Sequence, residues 1–389
     1  MVPNYKINSK TLDSLNDTNL YDVSEDYMFS FENQQTIREK LIKKYGKDYM
    51  KKLNDNFKVS NIARNISNLI QNDNDLKKNY SGIYLDDNNN LIILSNKIFK
   101  LEKFNNEIKG IPNEKRIINK IVEYTYDELN IIYNELNTFT KNNRDQIKIG
   151  FYIDEIENRV VVEAEENEDV RNKVLESVTN SSLIKFENLE KHELYSNFNP
   201  GDAWNDYINI KRGGVGYRAR TVVGGVEGFV TTGHNTPGLN KTIKNLGIVE
   251  KYKFTGDLDA AWINTTTTGK PTNTLNTPKS TDKKLLSTDV VTKFIVGETY
   301  AMLGGKSGFN SGKVTTTNYT SPEGISKLIK TDFLAERGDS GSIVFKYPDV
   351  NLDGGYKTAG IIQGGIVNKP ITYFVRADNI NSQFKLNRY

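Results

Sequence analysis

The chain has 389 residues, of which 37% are apolar and 26% charged, a balance typical of globular proteins and unlike disordered or collagen-like ones. Its length predicts roughly two or three domains. The absence of cysteine excludes a disulfide-stapled miniprotein, a thiolate zinc site, an iron–sulfur centre and a cysteine nucleophile. With only two histidines, far apart, and no calcium-loop spacing of carboxylates, we expect no metal and no cofactor.

The beginning of the chain, MVPNYKINSKTLDS, lacks the charged-then-apolar pattern of a secretory signal. No apolar run reaches the roughly 20 residues that a membrane span needs, so we expect no membrane partner. Either the protein is cytosolic, or a signal has been removed before this sequence begins. We expect a secreted protein, with a cytoplasmic one as the alternative.

The first half is poor in glycine and rich in Asn, Lys, Glu, Ile and Leu. Apolar residues at helical spacing predict amphipathic helices, and alternating runs joined by Asp/Asn turns predict hairpins. We therefore expect an N-terminal extension over 1–34 and an α+β domain over 35–195. Helices are predicted at 37–57, 60–71, 124–139 and 168–178, and hairpins at 81–96 and 149–165.

After residue 200 glycine and threonine increase, and short β-branched runs recur between turn residues, which predicts an all-β barrel or sandwich over 201–389. Charge divides at the same point: residues 1–200 carry a net −5 and residues 201–389 a net +8. Such asymmetry can indicate nucleic-acid binding. Here the positive charges are scattered, with no basic helix, so we expect mutual attraction of the halves and no nucleic-acid partner.

Three motifs in the second half carry candidate chemistry. His234 ends the apolar run GFVTTGHN, Asp259 enters the strand of DLDAAWI, and Ser340 lies in the turn RGDSGS. A hydroxyl nucleophile needs a base within hydrogen-bond reach and an acidic group that fixes the tautomer of that base. The order His, Asp, Ser in a glycine-rich β background is one known solution to this geometry.

Each motif also has a plainer interpretation. GDSG is a turn in many proteins, a histidine at a strand end is often structural, and the aspartate could merely cap a turn. Asp257 competes with Asp259 for the acid role; Asp259 is favoured because it directly precedes the strand AAWI. Gly338 can adopt the conformation that turns its N–H toward a substrate carbonyl, forming an oxyanion hole with the N–H of Ser340.

TTGH, DAAWI and GDSGS at these separations resemble the signature of the chymotrypsin superfamily, specifically its bacterial streptogrisin and α-lytic protease branch. FLAERGDSGS, TAGIIQGGI (358–366) and ITYF (371–374) are similar to segments of that branch around the nucleophile and the substrate. The resemblance covers 201–389. It implies an all-β double β-barrel and a serine endopeptidase acting on proteins and peptides through His234, Asp259 and Ser340.

The first half resembles the pro-region of the same branch, which folds the protease and then inhibits it. SGIYLDDNNNLIIL and FYIDEIENRVVVEAE are similar to its two hairpins. The resemblance implies a zymogen whose own N-terminal domain is an intramolecular inhibitor. The junction is expected within HELYSNFNPGDAW (192–204).

The resemblance also assigns the substrate pocket. Leu334 corresponds to its base, and Gly364, Gly365 and Ile371 to its wall. At the position of Ile371 a glycine usually leaves the pocket deep. Gln363 lies on TAGIIQGGI, which resembles the strand that binds substrate backbone. No charge lies at the base, so we expect small or medium apolar P1 residues.

Three positions differ from the branch or need a partner. Asn235 follows the triad histidine where the branch has a cysteine, and Gln363 replaces a common serine beside the triad aspartate. By local match, Lys306 is expected to form a structural ion pair with Asp339, since a buried carboxylate needs a partner. A non-catalytic scaffold of the same fold and a permanently two-domain intracellular protease are the alternatives.

Overall fold

The structure is a computed structural model, described for residues 47–109, 111, 116–143, 146–190, 192–194, 214–243, 246–265, 288–346, 357–366 and 369–389. The predicted extension 1–34 and the junction from 195 to 204 lie outside these ranges. Contacts gather Lys52–Thr272 and Leu286–Tyr389 into one compact unit. The other unit, Met1–Lys51 with Asn273–Leu285, lies almost wholly outside the described residues.

The first described helix is α1, Lys47–Asn72, where the sequence predicted two helices. The separation into two is wrong because neither proline nor glycine interrupts the segment. Ser60 stays helical, and its hydroxyl donates to the Phe57 carbonyl three residues earlier, at 3.1 Å.

The first half contains the same arrangement twice: a helix, an antiparallel hairpin, and a third strand parallel to the second. Both predicted hairpins are present, and each packs an apolar face against its helix. The third strands were not predicted, because their short runs show little alternation. The elements are α2 (Asn74–Lys77), β1 (Tyr80–Leu85), β2 (Leu91–Ser95), a 3₁₀ turn (Leu101–Phe104), α3 (Asn105–Ile108), β3 (Ile117–Ile121), α4 (Tyr126–Asn142), β4 (Gly150–Asp154), β5 (Arg159–Ala164), α5 (Glu168–Glu176) and β6 (Ile184–Asn188).

The second half is an all-β double barrel built from two antiparallel sheets, as the sequence predicts. A six-stranded antiparallel sheet runs in the order β10, β11, β12, β9, β8, β19. The second runs β13, β16, β17, β18, β15, β14 and closes because β13 also pairs with β14. The strands are β8 (Tyr217–Thr221), β9 (Glu227–Thr231), β10 (Thr242–Ile243), β11 (Gly247–Thr255), β12 (Leu258–Asn264), β13 (Thr299–Gly304), β14 (Gly308–Thr320), β15 (Leu328–Thr331), β16 (Ile343–Lys346), β17 (Lys357–Ile366), β18 (Thr372–Arg376) and β19 (Leu386–Asn387), with helix α6 (Ala377–Phe384) before β19.

Two strands of the first half continue the second barrel. β4 pairs with β14, matching Tyr152 with Tyr319 and Phe151 with Thr320. A three-residue strand β7, His192–Leu194, pairs antiparallel with β17. None of the helices in the described ranges is long and apolar enough to cross a membrane.

Ion pairs between the halves follow the charge division in most cases. Glu163 meets Lys330 at 2.8 Å and Glu190 meets Lys369 at 2.5 Å, with the acid from the first half. In the Arg64–Glu298 pair the base comes from the first half and the acid from the second. Attraction between the halves is therefore supported by particular contacts, although one buried pair runs against it.

Candidate active site

His234 and Asp259 are brought together by the first barrel. His234 lies in the turn after β9, and Asp259 is the second residue of β12, which pairs with β9. The His234 Nδ1 atom lies 2.5 Å from Asp259 Oδ2, and the His234 backbone N–H donates to Oδ1 at 3.0 Å. The carboxylate is completely buried, so these bonds hold the imidazole in one orientation.

The second ring nitrogen of His234, Nε2, is free to act as a hydrogen-bond acceptor. His234 Nε2 is buried and has no hydrogen-bond partner among the residues that the structure describes. The Phe254 ring lies 5.9 Å from the imidazole, centroid to centroid. Because Nδ1 faces a carboxylate, Nδ1 carries the proton in the neutral tautomer and Nε2 is left as the basic nitrogen.

Asp257 occupies a different environment, which decides between the two aspartates that the sequence offered. It forms ion pairs with Lys253 at 3.1 Å and Lys327 at 3.0 Å, and Gln383 also donates to it. Burial raises its pKa, but the hydrogen bonds from Gln383, Lys327 and Lys253 outweigh burial and lower the pKa to about 2. The structure places Asp259, and not Asp257, against His234.

Ser340 comes from the second barrel, in the turn between β15 and β16. Gly338 before it and Gly341 after it have φ of 105° and 87°, values that a residue with a side chain rarely adopts. Ser340 is fully buried, and its Oγ donates to the Gln363 carbonyl oxygen at 2.9 Å. In this resting arrangement the hydroxyl is therefore bonded to β17 and not to His234.

The two barrels are joined beside the candidate nucleophile. Asn235 Nδ2 and the Gly214 N–H both donate to the Ser340 carbonyl oxygen, at 3.1 and 2.7 Å. Thr231 Oγ1 donates in turn to the Gly214 carbonyl at 3.0 Å. The sequence showed only that Asn235 stands where the branch has a cysteine; its position next to His234 was the one available signal for this contact.

The backbone N–H groups of Gly338 and Ser340, which the sequence predicts as oxyanion donors, are not used by other contacts in the described residues. By contrast, Asp339 N donates to Glu336 O and Gly341 N to Ile362 O. Unpaired N–H groups at a tight turn are the donors that a developing oxyanion needs.

The expected Lys306–Asp339 ion pair is wrong as a contact between side chains. Asp339 is fully buried, but its Oδ1 accepts from the backbone N–H groups of Lys306 at 2.8 Å and Ser307 at 3.1 Å, and its Oδ2 from Glu336 N at 2.8 Å. The Lys306 side chain is exposed. Three backbone N–H groups satisfy the buried carboxylate, so it does not need an ammonium group as its partner.

Of the predicted pocket residues, Gln363 contacts Ser340 through its carbonyl oxygen. Leu334 is partly exposed, and its carbonyl accepts from Asn310 Nδ2 at 2.9 Å. Gly364 and Gly365 are buried on β17, and Ile371 is partly exposed just before β18. Gln363 is fully buried, and neither polar atom of its side chain has a partner within the described ranges.

Comparison with known proteins gives likenesses among solved structures only. No protein-family model matches the sequence, and no curated protein matches it. The chain is similar to the solved structure of Cellulomonas bogoriensis chymotrypsin (22% identity, 45% of this chain and 89% of that chain, TM-score 0.37). It is also similar to Nocardiopsis protease (24%, 45% and 92%, TM-score 0.37) and to Thermobifida fusca protease A (23%, 44% and 89%, TM-score 0.38). These likenesses concern the fold alone.

Proposed function

We propose that this chain is a serine endopeptidase that hydrolyses protein and peptide substrates through His234, Asp259 and Ser340. The observation that carries the proposal is the buried His234–Asp259 hydrogen bond beside the turn of Ser340. The candidate site combines a fixed base, a hydroxyl and unpaired backbone N–H donors, which are the groups that acyl transfer needs.

The reaction begins with a rotation of the Ser340 hydroxyl from the Gln363 carbonyl toward His234 Nε2. Catalytic hydrogen bonds often tighten only when substrate is bound. Ser340 Oγ then attacks the scissile carbonyl carbon while Nε2 takes its proton, and Asp259 stabilises the resulting imidazolium. Nε2 returns the proton to the leaving amine as the C–N bond breaks, and water hydrolyses the acyl-enzyme by the same route.

Charge that develops on the carbonyl oxygen is held by the N–H groups of Gly338 and Ser340. Such donors act at full strength because the turn fixes them before the reaction, and losing one typically costs about 10²–10³ in rate. Gly338 is essential to this arrangement because its φ of 105° is strained for any side chain.

The pocket favours uncharged P1 residues. Leu334 at its base brings no carboxylate, so an arginine or lysine side chain would be buried without a partner. Ile371 narrows the wall, which favours small or medium apolar P1 residues over large ones. A peptide library cleaved mainly after Lys or Arg would contradict this part of the proposal.

The N-terminal half acts as an intramolecular inhibitor that also assists folding of the barrels. Its strand β7 lies along β17 at Gly364–Ile366, the edge that the resemblance assigns to substrate. Proteins commonly bind extended peptides by adding such a strand to a sheet edge. A segment paired there leaves no room for a substrate backbone.

A second contact between the two halves joins α1 to the start of β13. Asn56 Nδ2 donates to the Gly297 carbonyl at 2.8 Å and Asn56 Oδ1 accepts from Thr299 N at 3.0 Å. Arg64 pairs with the fully buried Glu298, which Ser60 Oγ also contacts at 3.2 Å. These polar groups satisfy one another only while the halves are together, which supports a role for the first half in folding.

Two alternatives rest on specific observations. The buried, unpartnered Gln363 side chain and the Ser340–Gln363 bond favour a non-catalytic binding or scaffold protein of this fold. The buried Arg64–Glu298 pair favours a permanently two-domain intracellular protease over a secreted zymogen. Intact mass after expression separates the second from a zymogen, because only a zymogen divides into two chains.

Hydrolysis of an unfolded protein substrate tests the proposal. The wild type is compared with His234→Ala and Ser340→Ala after each has been shown to have the wild-type circular dichroism spectrum. We expect both variants to lose at least about 10⁴-fold in kcat/KM, as members of a catalytic unit do. Equal hydrolysis by all three proteins would overturn it.

A further inference from the structure

β13 and β16 form a two-stranded ribbon inside the second barrel. They pair antiparallel, with Met302 opposite Val344. At one end, which we call the tip, β13 enters its turn into β14, and β16 follows the turn of Ser340. At the other end, the base, lie Glu298 and Lys346. Tip and base are about 20 Å apart, because β13 has six residues and an extended strand rises about 3.3 Å per residue.

The first half closes the base of the ribbon. Glu298 is completely buried, and its Oε1 atom lies 2.8 Å from Lys346 Nζ. Arg64 of α1 forms an ion pair with the same carboxylate oxygen, and Ser60 Oγ donates to it at 3.2 Å. Asn56 bonds to the backbone on both sides of Glu298. Asn56, Ser60 and Arg64 are spaced four residues apart, so one face of α1 supplies these contacts.

The tip of the ribbon holds the turn that carries the candidate nucleophile. The Gly305 N–H donates to Ser342 Oγ at 3.1 Å, and the next two N–H groups of the chain donate to Asp339 Oδ1 at 2.8 and 3.1 Å. A Cβ atom at Gly304 would collide with that carboxylate, so the two turns approach as closely as glycine allows. Asp339 and Ser342 enclose Ser340 in the sequence. The contacts at the tip therefore fix the direction of the Ser340 N–H, one of the two proposed oxyanion donors.

We propose that α1 of the first half is a positioning element for the proposed oxyanion hole. Its contacts at the base fix how β13 lies along β16, and this alignment brings the N–H groups of the tip onto Asp339. The inference rests on the proposed function and deepens it. The half that blocks the substrate edge of β17 also keeps the nucleophile turn formed.

The interior of the barrel makes the ribbon a stiff connection. Tyr300, Met302 and Val344 are fully buried in one apolar cluster, and the Tyr300 hydroxyl also donates to Glu298 at 2.8 Å. Close-packed interiors have little free volume, so a displaced strand moves as a unit. Removing Arg64 takes one partner from Glu298, and a buried carboxylate that loses a partner is drawn toward water. We expect that displacement at the base to loosen the contacts at the tip.

An inhibitor that only blocks the cleft gives the opposite expectation. If α1 merely helps to hold β7 on β17, a weaker base should free the cleft and raise the reactivity of Ser340. If α1 positions the turn, the same change should lower that reactivity. Glu163→Ala is the matched control, because it breaks a second buried pair between the halves, with Lys330 on β15 and away from the ribbon. It should loosen β15, leave the tip unchanged and not lower the reactivity of Ser340.

Amide hydrogen exchange in the Ser340→Ala chain, well below its Tm, tests the connection without any need for activity. In Arg64→Ala we expect the N–H groups of Lys306 and Ser307 to exchange at least about tenfold faster, while β15 exchanges as before. Asn56→Ala is a milder change at the base and should give the same pattern, including where Arg64→Ala fails to fold. Unchanged exchange at the tip in a folded base variant overturns the inference.

Labelling of Ser340 by a small fluorophosphonate, which needs no pairing with β17, tests the consequence for reactivity. Arg64→Ala should react about tenfold more slowly than the wild type. Arg64→Lys keeps a cation beside Glu298 and should recover most of the rate. A rate in Arg64→Ala equal to or above that of the wild type overturns the inference and leaves the protease proposal standing.

A double variant shows whether the base acts through the tip. Gly304→Ala alone should slow labelling about 10²–10³-fold, because it displaces the turn that supplies an oxyanion donor. Adding Arg64→Ala should then change the rate little, since both changes act on one turn. Losses that multiply in the double variant overturn the inference. A wild type that never labels, beside exchange that behaves as expected, contradicts the proposed function instead.

Discussion

Asn235 and Ser340 are joined across the two barrels, because Asn235 Nδ2 donates a hydrogen bond to the Ser340 carbonyl oxygen at 3.1 Å. Asn235 follows His234 directly, so this bond fixes the spacing between base and nucleophile. The Asn235 side chain is buried, with 4% of the residue exposed. In a chain without cysteine, this bond and the Gly214 contact tie the two turns together.

Asn235→Ala should lower kcat/KM by about tenfold and the free energy of unfolding by about 1–2 kcal/mol, because a buried hydrogen bond is lost. Thr236→Ala is the matched control: its hydroxyl donates to Gly233 within the same turn and does not reach Ser340. Thermal unfolding and steady-state kinetics measure the two effects. Wild-type kinetics in Asn235→Ala would contradict a positioning role.

Asp259→Asn should lower kcat/KM by about 10⁴-fold, because the amide favours the wrong tautomer of His234. Asp257→Asn should leave kcat/KM within a few-fold of wild type. It should instead lower stability above pH 4, since the folded pKa of Asp257 is about 2 and its ion pairs are formed at neutral pH. Kinetics and Tm are measured for both. Equal losses of activity would contradict the assignment of Asp259.

Lys306→Met should leave both kcat/KM and Tm unchanged, because backbone N–H groups and not the ammonium balance Asp339. Asp339→Ala is the informative comparison, since it leaves three backbone donors without their acceptor and should be strongly destabilising. Tm and activity of the two variants are compared directly. A large loss in Lys306→Met would restore the ion pair that the sequence predicted.

We expect the stability of the folded chain to depend on pH through Glu155, a residue of the first half. Burial raises the pKa of Glu155 to about 7, partly opposed by a hydrogen bond from Ile83 N at 3.0 Å. Because its folded pKa lies above the ordinary value of 4.5, the folded chain holds the proton more tightly than the unfolded chain. Its contribution to stability is therefore lost as pH rises from about 4.5 to 7.

In the uncut Ser340→Ala chain, Glu155→Gln should flatten the decline of Tm between pH 5 and 8 and raise Tm at pH 8. The exposed Glu165→Gln is the matched control and should leave the decline unchanged. Parallel pH profiles for all three chains would show that Glu155 is not responsible.

Arg64→Ala removes one partner of a completely buried carboxylate, Glu298, which keeps Lys346 at 2.8 Å and the Tyr300 hydroxyl at 2.8 Å. Breaking such a pair typically costs about 3–5 kcal/mol, and the remaining partners place the expected loss at the lower end. Denaturant unfolding of the Ser340→Ala background measures it. Arg159→Ala, at a more exposed pair with Glu123, should cost less than about 1 kcal/mol.

Much of the architecture was predictable because it depends on local pattern. The hairpins show alternation and Asp/Asn turns, and the strands of the barrels show β-branched runs between glycines. His234, Asp259 and Ser340 could be picked out because three short motifs stand in one order. Their roles remain a proposal that the geometry supports.

The remaining features depend on contacts between distant segments. β7 has three residues, too few for any periodicity, and is a strand only because β17 lies beside it. Lys306 was correctly placed near Asp339, but sequence cannot tell whether its N–H or its side chain makes the contact. The Asn235–Ser340 bond likewise joins residues 105 positions apart.

Fluorophosphonate labelling of the purified chain, incubated until its intact mass is constant, tests the central claim most directly. The account predicts one phosphonate group on Ser340, located by peptide mass spectrometry, with labelling abolished in Ser340→Ala and slowed at least about 10⁴-fold in His234→Ala. Absence of labelling in the wild type, or equal labelling in His234→Ala, would contradict a serine endopeptidase.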